Sequence, residues 1–208
     1  LARFGRKTRN QHATDPIGAV RRATLDLAGE TPEPGSFVLE GAPDQEFLDD
    51  LASRNARPAM CHYNVIKSQV LYLYGRLEDA ERHAELAEAD LSYISGHVSS
   101  AVHTFYASLI AAAGARRAPG GASPERVERM QRGQVQLREW AKSCPENFLH
   151  KSLLVDAELT SLEGDGWRAA ELYDQAIQEA GRSGYLQEEA LARERAGLFW
   201  LGQDRRKI

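Results

Sequence analysis

Residues 75–94 read GRLEDAERHAELAEADLSYI. Leu77, Ala80, Ala84, Ala87, Leu91 and Ile94 fall at alternating steps of three and four, which places all of them on a single stripe of an α-helix. Such a stripe needs a neighbour to cover it. The residues just before it supply one: Tyr63, Ile66, Val70 and Leu73 keep the same spacing, and Gly75-Arg76 sits where the chain must leave one helix and reverse into the next. The two segments read as a helical hairpin.

A second hairpin of the same design lies near the C-terminus. Leu153 to Leu162 is helical in pattern, Gly164-Asp165-Gly166 breaks it, and Ala169, Tyr173, Ala176 and Ala180 form the returning stripe. In both hairpins a Gly is followed five residues later by Ala (Gly75 to Ala80, Gly164 to Ala169), and a further Ala follows at Ala87 and Ala176. Small side chains at those places let two helix backbones approach closely. Ala80 and Ala169 are therefore expected to be buried at close helix crossings, each in the middle of the second helix of its hairpin.

Between these hairpins, His97 to Ala113 and then Val127, Met130, Leu137, Trp140 and Ala141 read as another pair, joined by a linker containing Pro119-Gly120-Gly121. Ser123-Pro124 is a cap followed by proline at the first helical position. A helix begins after Cys144-Pro145, and a last one runs from about Leu186. At the other end, Ile17 to Leu27 and Phe47 to Leu51 read as helices around the Pro/Gly-rich stretch Thr31 to Pro43, within which Ser36-Phe37-Val38-Leu39 is extended in character. The expected fold is all-α: one helical-repeat domain, a right-handed superhelical stack of antiparallel hairpins at about 15–57, 60–94, 97–143 and 147–181, with a last helix at 186–203. Helix pairs recurring at about 40 residues mark a solenoid, in which no unit buries its apolar face alone.

The chain of 208 residues is 42% hydrophobic and 27% charged, an ordinary globular composition. Its net charge of -4 comes from acids and bases mixed along the same helices, so no basic face points to nucleic acid. The apolar stretch Val98 to Ala115 is interrupted by His103, Thr104 and Ser108, which argues against a membrane span. Two widely separated cysteines, Cys61 and Cys144, fit a reduced cytoplasm better than a disulfide framework. The opening Leu1 to Lys7 has neither an initiator Met nor the apolar core of a signal peptide, which suggests a piece of a larger protein.

The Gly-to-Ala hairpin spacing resembles the tetratricopeptide repeat in degenerate form, with Asn64 where that motif often has Trp and Ala84 where it often has a large aromatic. The run Cys144-Pro145-Glu146-Asn147-Phe148-Leu149-His150-Lys151, leading into Leu154-Val155-Asp156-Ala157-Glu158, is more specific. With Leu172 to Ile177 and Gly184 to Ala192, it resembles the helical-repeat region of the large bacterial signalling multi-kinases. Gly5 to Gln11 and Asp44 to Phe47 resemble the same family's entry into that region, and Val20 to Pro43 resembles it least. The resemblance implies an origin in a cytoplasmic protein that carries a serine/threonine kinase, an AAA-type ATPase, this repeat segment, a GAF sensor and a histidine kinase. It implies no ligand, because the family's repeat region has no binding motif to carry over.

No Gly-x-x-x-x-Gly-Lys-Ser/Thr is present to wrap phosphates, and no His-Arg-Asp or Asp-Phe-Gly to place a base and Mg²⁺, so this segment is expected not to be an enzyme. No cofactor is expected. His97 with His103 and Cys61 with His62 are the nearest metal-binding pairs, but a spacing of six turns the helix through about 600° and adjacent residues also diverge. Cys144 and His150 are the types for nucleophile and base, although Pro145 and the helix start favour a turn with a packing role. Trp140, Trp167 and Trp200 read as core and inter-repeat packing. The strips Glu78-Asp79-Glu81-Arg82 and Glu188-Glu189-Arg193-Glu194-Arg195 read as solvated faces. Tyr72 and Tyr74 flank their stripe, where one of them could face a groove.

Two functions compete. The first is a protein-interaction module that relays state between the ATPase and kinase modules of the parent, or binds another protein, through a concave side lined by the first helix of each hairpin. His62, Gln69, Tyr72, Lys151 and Glu158 are its candidate contacts. The second is a small-molecule sensor with a pocket closed by the long connections Gly29 to Pro43 and Ala115 to Ser123. A homodimer is left open.

Overall fold

In the computed structural model of the chain, residues 11–205 are described, with side chains over 14–203. Gly5 to Asn10, which open the family resemblance, lie outside the described residues. The described chain is all-helical: α1 (Gln11–Leu27), α2 (Asp44–Ser53), α3 (Arg57–Leu73), α4 (Leu77–Glu88), a 3₁₀ turn (Leu91–Ile94), α5 (Val98–Arg117), α6 (Pro124–Ser143), α7 (Pro145–Glu163), α8 (Gly166–Arg182) and α9 (Leu186–Arg205). It divides between Tyr106 and Ala107, inside α5, into two compact units.

Five of these helices end in the same way. At Gly29, Asn55, Gly75, Gly164 and Gly184 the backbone turns to positive φ. The amide of the following residue then reaches back to a carbonyl in the last turn, as Arg76 does to Leu71 (2.9 Å) and Asp165 to Thr160 (3.2 Å). This pattern satisfies carbonyls that a helix end would leave unpaired, and at all but Gly29 the next helix starts two residues later. Glycine suits the left-handed backbone because it has no Cβ, and Asn is the usual second choice.

In the first unit α3 packs on α4, α1 and α2. Ala19, Ala23, Phe37, Tyr63 and Val70 form one core, and Cys61, Val65, Ala87 and Ile94 another. Of the stripe of residues 77–94, Ala80, Ala84, Ala87 and Ile94 are buried and Leu77 and Leu91 are half-buried, but the α-helix stops at Glu88 and the last two positions belong to the 3₁₀ turn. Residues 28–43 form a closed wrap rather than a strand. The Asp26 carboxylate accepts from the backbone amides of Gly35 (2.9 Å) and Phe37 (3.2 Å) and from Thr31 Oγ1 (3.1 Å), and a buried Phe37 at φ 55 seals the turn.

In the second unit α8 packs between α7 and α9, and Ala111, Ala112 and Met130 join α5 to α6 with Leu159 and Leu162 of α7 against them. Ala80 and Ala169 are both fully buried. They lie in the first turn of α4 and of α8, not mid-helix: the Gly turn is so short that the helix begins two residues after each Gly. Trp140 stacks near Phe148, with ring centroids 5.5 Å apart. Trp167 and Trp200 are 86% and 53% exposed, which corrects the expectation that they fill the core. α5 is long and apolar enough to cross a membrane by length and composition, contrary to the reading of its polar interruptions, and 67% of its apolar window is buried inside the protein.

Candidate functional site

The five candidate residues all lie on α3 or α7, the first helices of their hairpins. Their surroundings differ. In α3, the His62 Nδ1 lies 2.9 Å from Ser99 Oγ, and its ring centroid is 5.4 Å from that of His97. Burial, and then the neighbouring His97, lower the His62 pKa. Gln69 donates to the Tyr106 hydroxyl (3.2 Å), and the buried Tyr72 ring meets Tyr106 edge-on at 5.9 Å. Tyr74, the alternative to Tyr72, donates its hydroxyl to the Asp26 carbonyl (2.9 Å).

His62 borders a groove of about 600 Å³. Val20 of α1, Ile66 of α3 and Tyr93 of the 3₁₀ turn give it apolar walls, with Asn55, His97 and Ser99 among its polar edges. Ion pairs lie beside the groove. Arg54 bridges Asp15 of α1 (3.0 Å) and Asp50 of α2 (2.6 Å), which hold its pKa above the usual guanidinium range, Asp50 first. Arg57 pairs with Asp90 and lies over the Tyr93 ring, 5.8 Å from its centroid. Val20 and Tyr93 remain exposed at its rim.

The α7 residues are buried and occupied by partners within the second unit. Lys151 Nζ donates to Glu188 (2.7 Å) and to the Asn147 carbonyl (3.1 Å) and sits over the Tyr185 ring at 4.5 Å. Burial lowers its pKa, with Glu188 pulling the other way. Glu158 is 0% exposed and accepts from Arg195 Nε (2.9 Å), the Tyr173 hydroxyl (2.9 Å) and Arg116. Burial would raise its pKa, but Arg195 and Arg116 outweigh burial and hold it below the usual carboxylate range. These two acid–base centres tie α7 to α9 and to the end of α5.

Glu188 and Arg195 thus leave the solvated strip to which the charge pattern assigned them, while Glu189 and Arg193 pair on the surface (2.6 Å). A signal was present in the sequence. Glu188, Leu191, Ala192, Arg195, Ala196 and Phe199 keep helical spacing, so both charges share the buried stripe of α9.

A third polar cluster lies in the first unit. Lys67 Nζ donates to the Gly35 carbonyl (2.6 Å) and to Asp44 (2.7 Å), and Tyr63 donates to Asp44 (2.5 Å). His83 Nδ1 donates to Asn64 Oδ1 (2.8 Å). Among the described residues no three His, Cys, Asp or Glu side chains gather where a metal ion could be held. The pair that does meet, His62 with His97, is not one of those weighed from spacing. Cys144 and His150 keep separate company: Asn147 donates to the Cys144 sulfur (3.1 Å), and His150 stacks on Tyr185 (4.7 Å) beside Glu188. Cys61 is buried, and its thiol is pushed up to about 12 by that burial, with Asp90 adding to it.

The sequence matches no protein-family model, and neither the curated proteins nor the solved structures offer a match.

Proposed function

We propose that the chain is a protein-interaction module, a degenerate tetratricopeptide-like stack, and that it docks a protein segment in the groove between α1, α3 and the 3₁₀ turn. The observation that carries this reading is the lining: Val20 and Tyr93, both exposed, line the same groove as the buried His62. Exposed aromatic and apolar side chains beside a cavity are the usual anchors of a bound segment. The contact set moves accordingly. His62 stays in it with Val20, Ile66 and Tyr93, while Lys151 and Glu158 serve the packing of the second unit. The family resemblance supplies the partner: a neighbouring ATPase or GAF domain of a cytoplasmic signalling kinase, whose state the module relays to the kinase output.

The test is a titration of the isotope-labelled chain with purified ATPase and GAF domains of such a kinase. Amide shifts should concentrate at Val20, His62, Ile66 and Tyr93. Tyr93→Ala should weaken binding about tenfold, roughly the cost of removing one anchor. Shifts elsewhere, or equal affinity of the variant, would defeat the groove.

A small-molecule sensor is the second reading, and a separate observation favours it. Each long connection borders a cavity: Gly35 lines one of about 330 Å³, and Ala118, Gly121 and Ala122 line one of about 370 Å³. Both fall within the size range of ligand pockets. A metabolite that occupies either should raise the melting temperature in a concentration-dependent way, and a screen without any such ligand would count against it.

A further inference from the structure

The cavity of about 370 Å³ in the second unit has an unusual lining. Leu162 of α7 with Leu198 and Phe199 of α9 form an apolar wall, and Ser161 and Gln203 add neutral polar groups. Among the described residues that line it, Arg116 is the one charged side chain, and its carboxylate partner Glu158 is not part of the lining. The Pro119-Gly120-Gly121 connection passes over this region, with Gly121 at φ 82 closing its turn.

Arg116 is fixed from behind. It donates to Glu158 and, through Nη2, to the Tyr173 hydroxyl (3.1 Å). Glu158 is itself shared with Arg195, so one carboxylate serves two guanidiniums. Two of the five N–H groups of Arg116 are committed in this way, and its side chain is 27% exposed. A guanidinium held rigid by buried partners, with donors left over at the edge of an apolar hollow, is built for a planar anion, since its fork matches a carboxylate in two parallel hydrogen bonds.

We infer that this cavity binds a small carboxylic acid with an apolar body, its carboxylate on Arg116 and its hydrocarbon against Leu162, Leu198 and Phe199. The inference rests on the small-molecule reading above and gives it a ligand class. Among the described residues the lining holds no acid, which selects against cations. The small residues Ala115, Ala118, Ala122 and Gly202 leave the room.

The experiment titrates the full chain, its Leu methyls labelled, with octanoate and in parallel with octanol, the neutral molecule of the same chain length. Octanoate should move the Leu162 and Leu198 methyl signals saturably and raise the melting temperature, with octanol at least about tenfold weaker. Arg116→Gln should abolish the preference for the acid. Because that variant also removes a partner of Glu158 and could fail to fold, Leu198→Asp provides a second test. It puts a negative charge at a position already 48% exposed and should abolish octanoate binding in a folded protein.

Equal binding of octanol, methyl shifts outside the cavity, or octanoate binding unaffected by Leu198→Asp would overturn the inference. N-acetyl-leucyl-phenylalanine offers the same carboxylate at a chain terminus, and binding of that dipeptide alone would overturn the assignment to a free acid. A neutral metabolite that stabilises the chain where octanoate does not would refute the acid and leave the sensor reading in place. Failure of every ligand to stabilise it would refute both.

Discussion

His83 lies half-buried in α4, where its Nδ1 donates to Asn64. Its pKa is lowered to about 4, first by burial and then by Lys67 and Arg82. In the unfolded chain a histidine titrates near 6.5. Between those values the unfolded state therefore holds a proton that the folded state refuses, so stability is full above about pH 6.5 and is lost as the pH falls toward 4. Allowing for partial exposure, the loss is about 2 kcal/mol. Urea unfolding at pH 7.5, 6.0 and 5.0 should show the wild type losing more stability than His83→Gln over that range. Parallel losses would mean that His83 accepts its proton in place. At this scale the sequence placed His62, Gln69, Tyr72, Lys151 and Glu158 on one side of α3 and α7 as partner contacts, but not the buried partners that Lys151 and Glu158 meet within the second unit. Arg116 lies 42 residues from Glu158, and their pairing depends on how three helices register, which no local spacing encodes.

Two hairpins, α3–α4 and α7–α8, carry the same device, a glycine in the left-handed region followed by a fully buried alanine in the first turn of the returning helix. Replacing Ala80 or Ala169 with Leu adds a branched side chain where the helices cross, and overpacking of that kind costs about 1–3 kcal/mol. Both variants should melt at lower temperature, and in Ala169→Leu hydrogen exchange should quicken in α7, α8 and α9 together, because stacked helices are stabilised mainly by their neighbours. Unchanged melting would show that the crossings have slack. The periodic spacing of residues 77–94 found the buried face but could not separate an α-helix from a 3₁₀ turn that continues on the same side. For Trp167 the phase was legible. It stands two residues before the buried Ala169, about 200° round the helix, and so points away from the core.

The helical class of the chain was legible because the apolar spacing is three and four nearly throughout and the turns are marked by glycine. The division into two units was not, since it falls within α5, whose apolar run continues across Tyr106 and Ala107 without a breaker. The place where the covalent chain is easiest to sever is therefore different from the place where its packing divides. Arg117, Pro119 and Gly120 are exposed at the end of α5, and limited trypsin should make its first internal cut after Arg117. The severed ends need not part. Ala111 and Ala112 would stay on one fragment and Met130, Leu159 and Leu162 on the other, all in one core. A denaturing gel should show two bands where gel filtration shows a single species, and the two fragments, mixed after separate purification, should restore it. Early cutting elsewhere, or fragments that drift apart, would show that this core cannot hold without the peptide bond. If it does hold, the chain could accept an inserted sequence at that loop, or new termini there, and keep its fold.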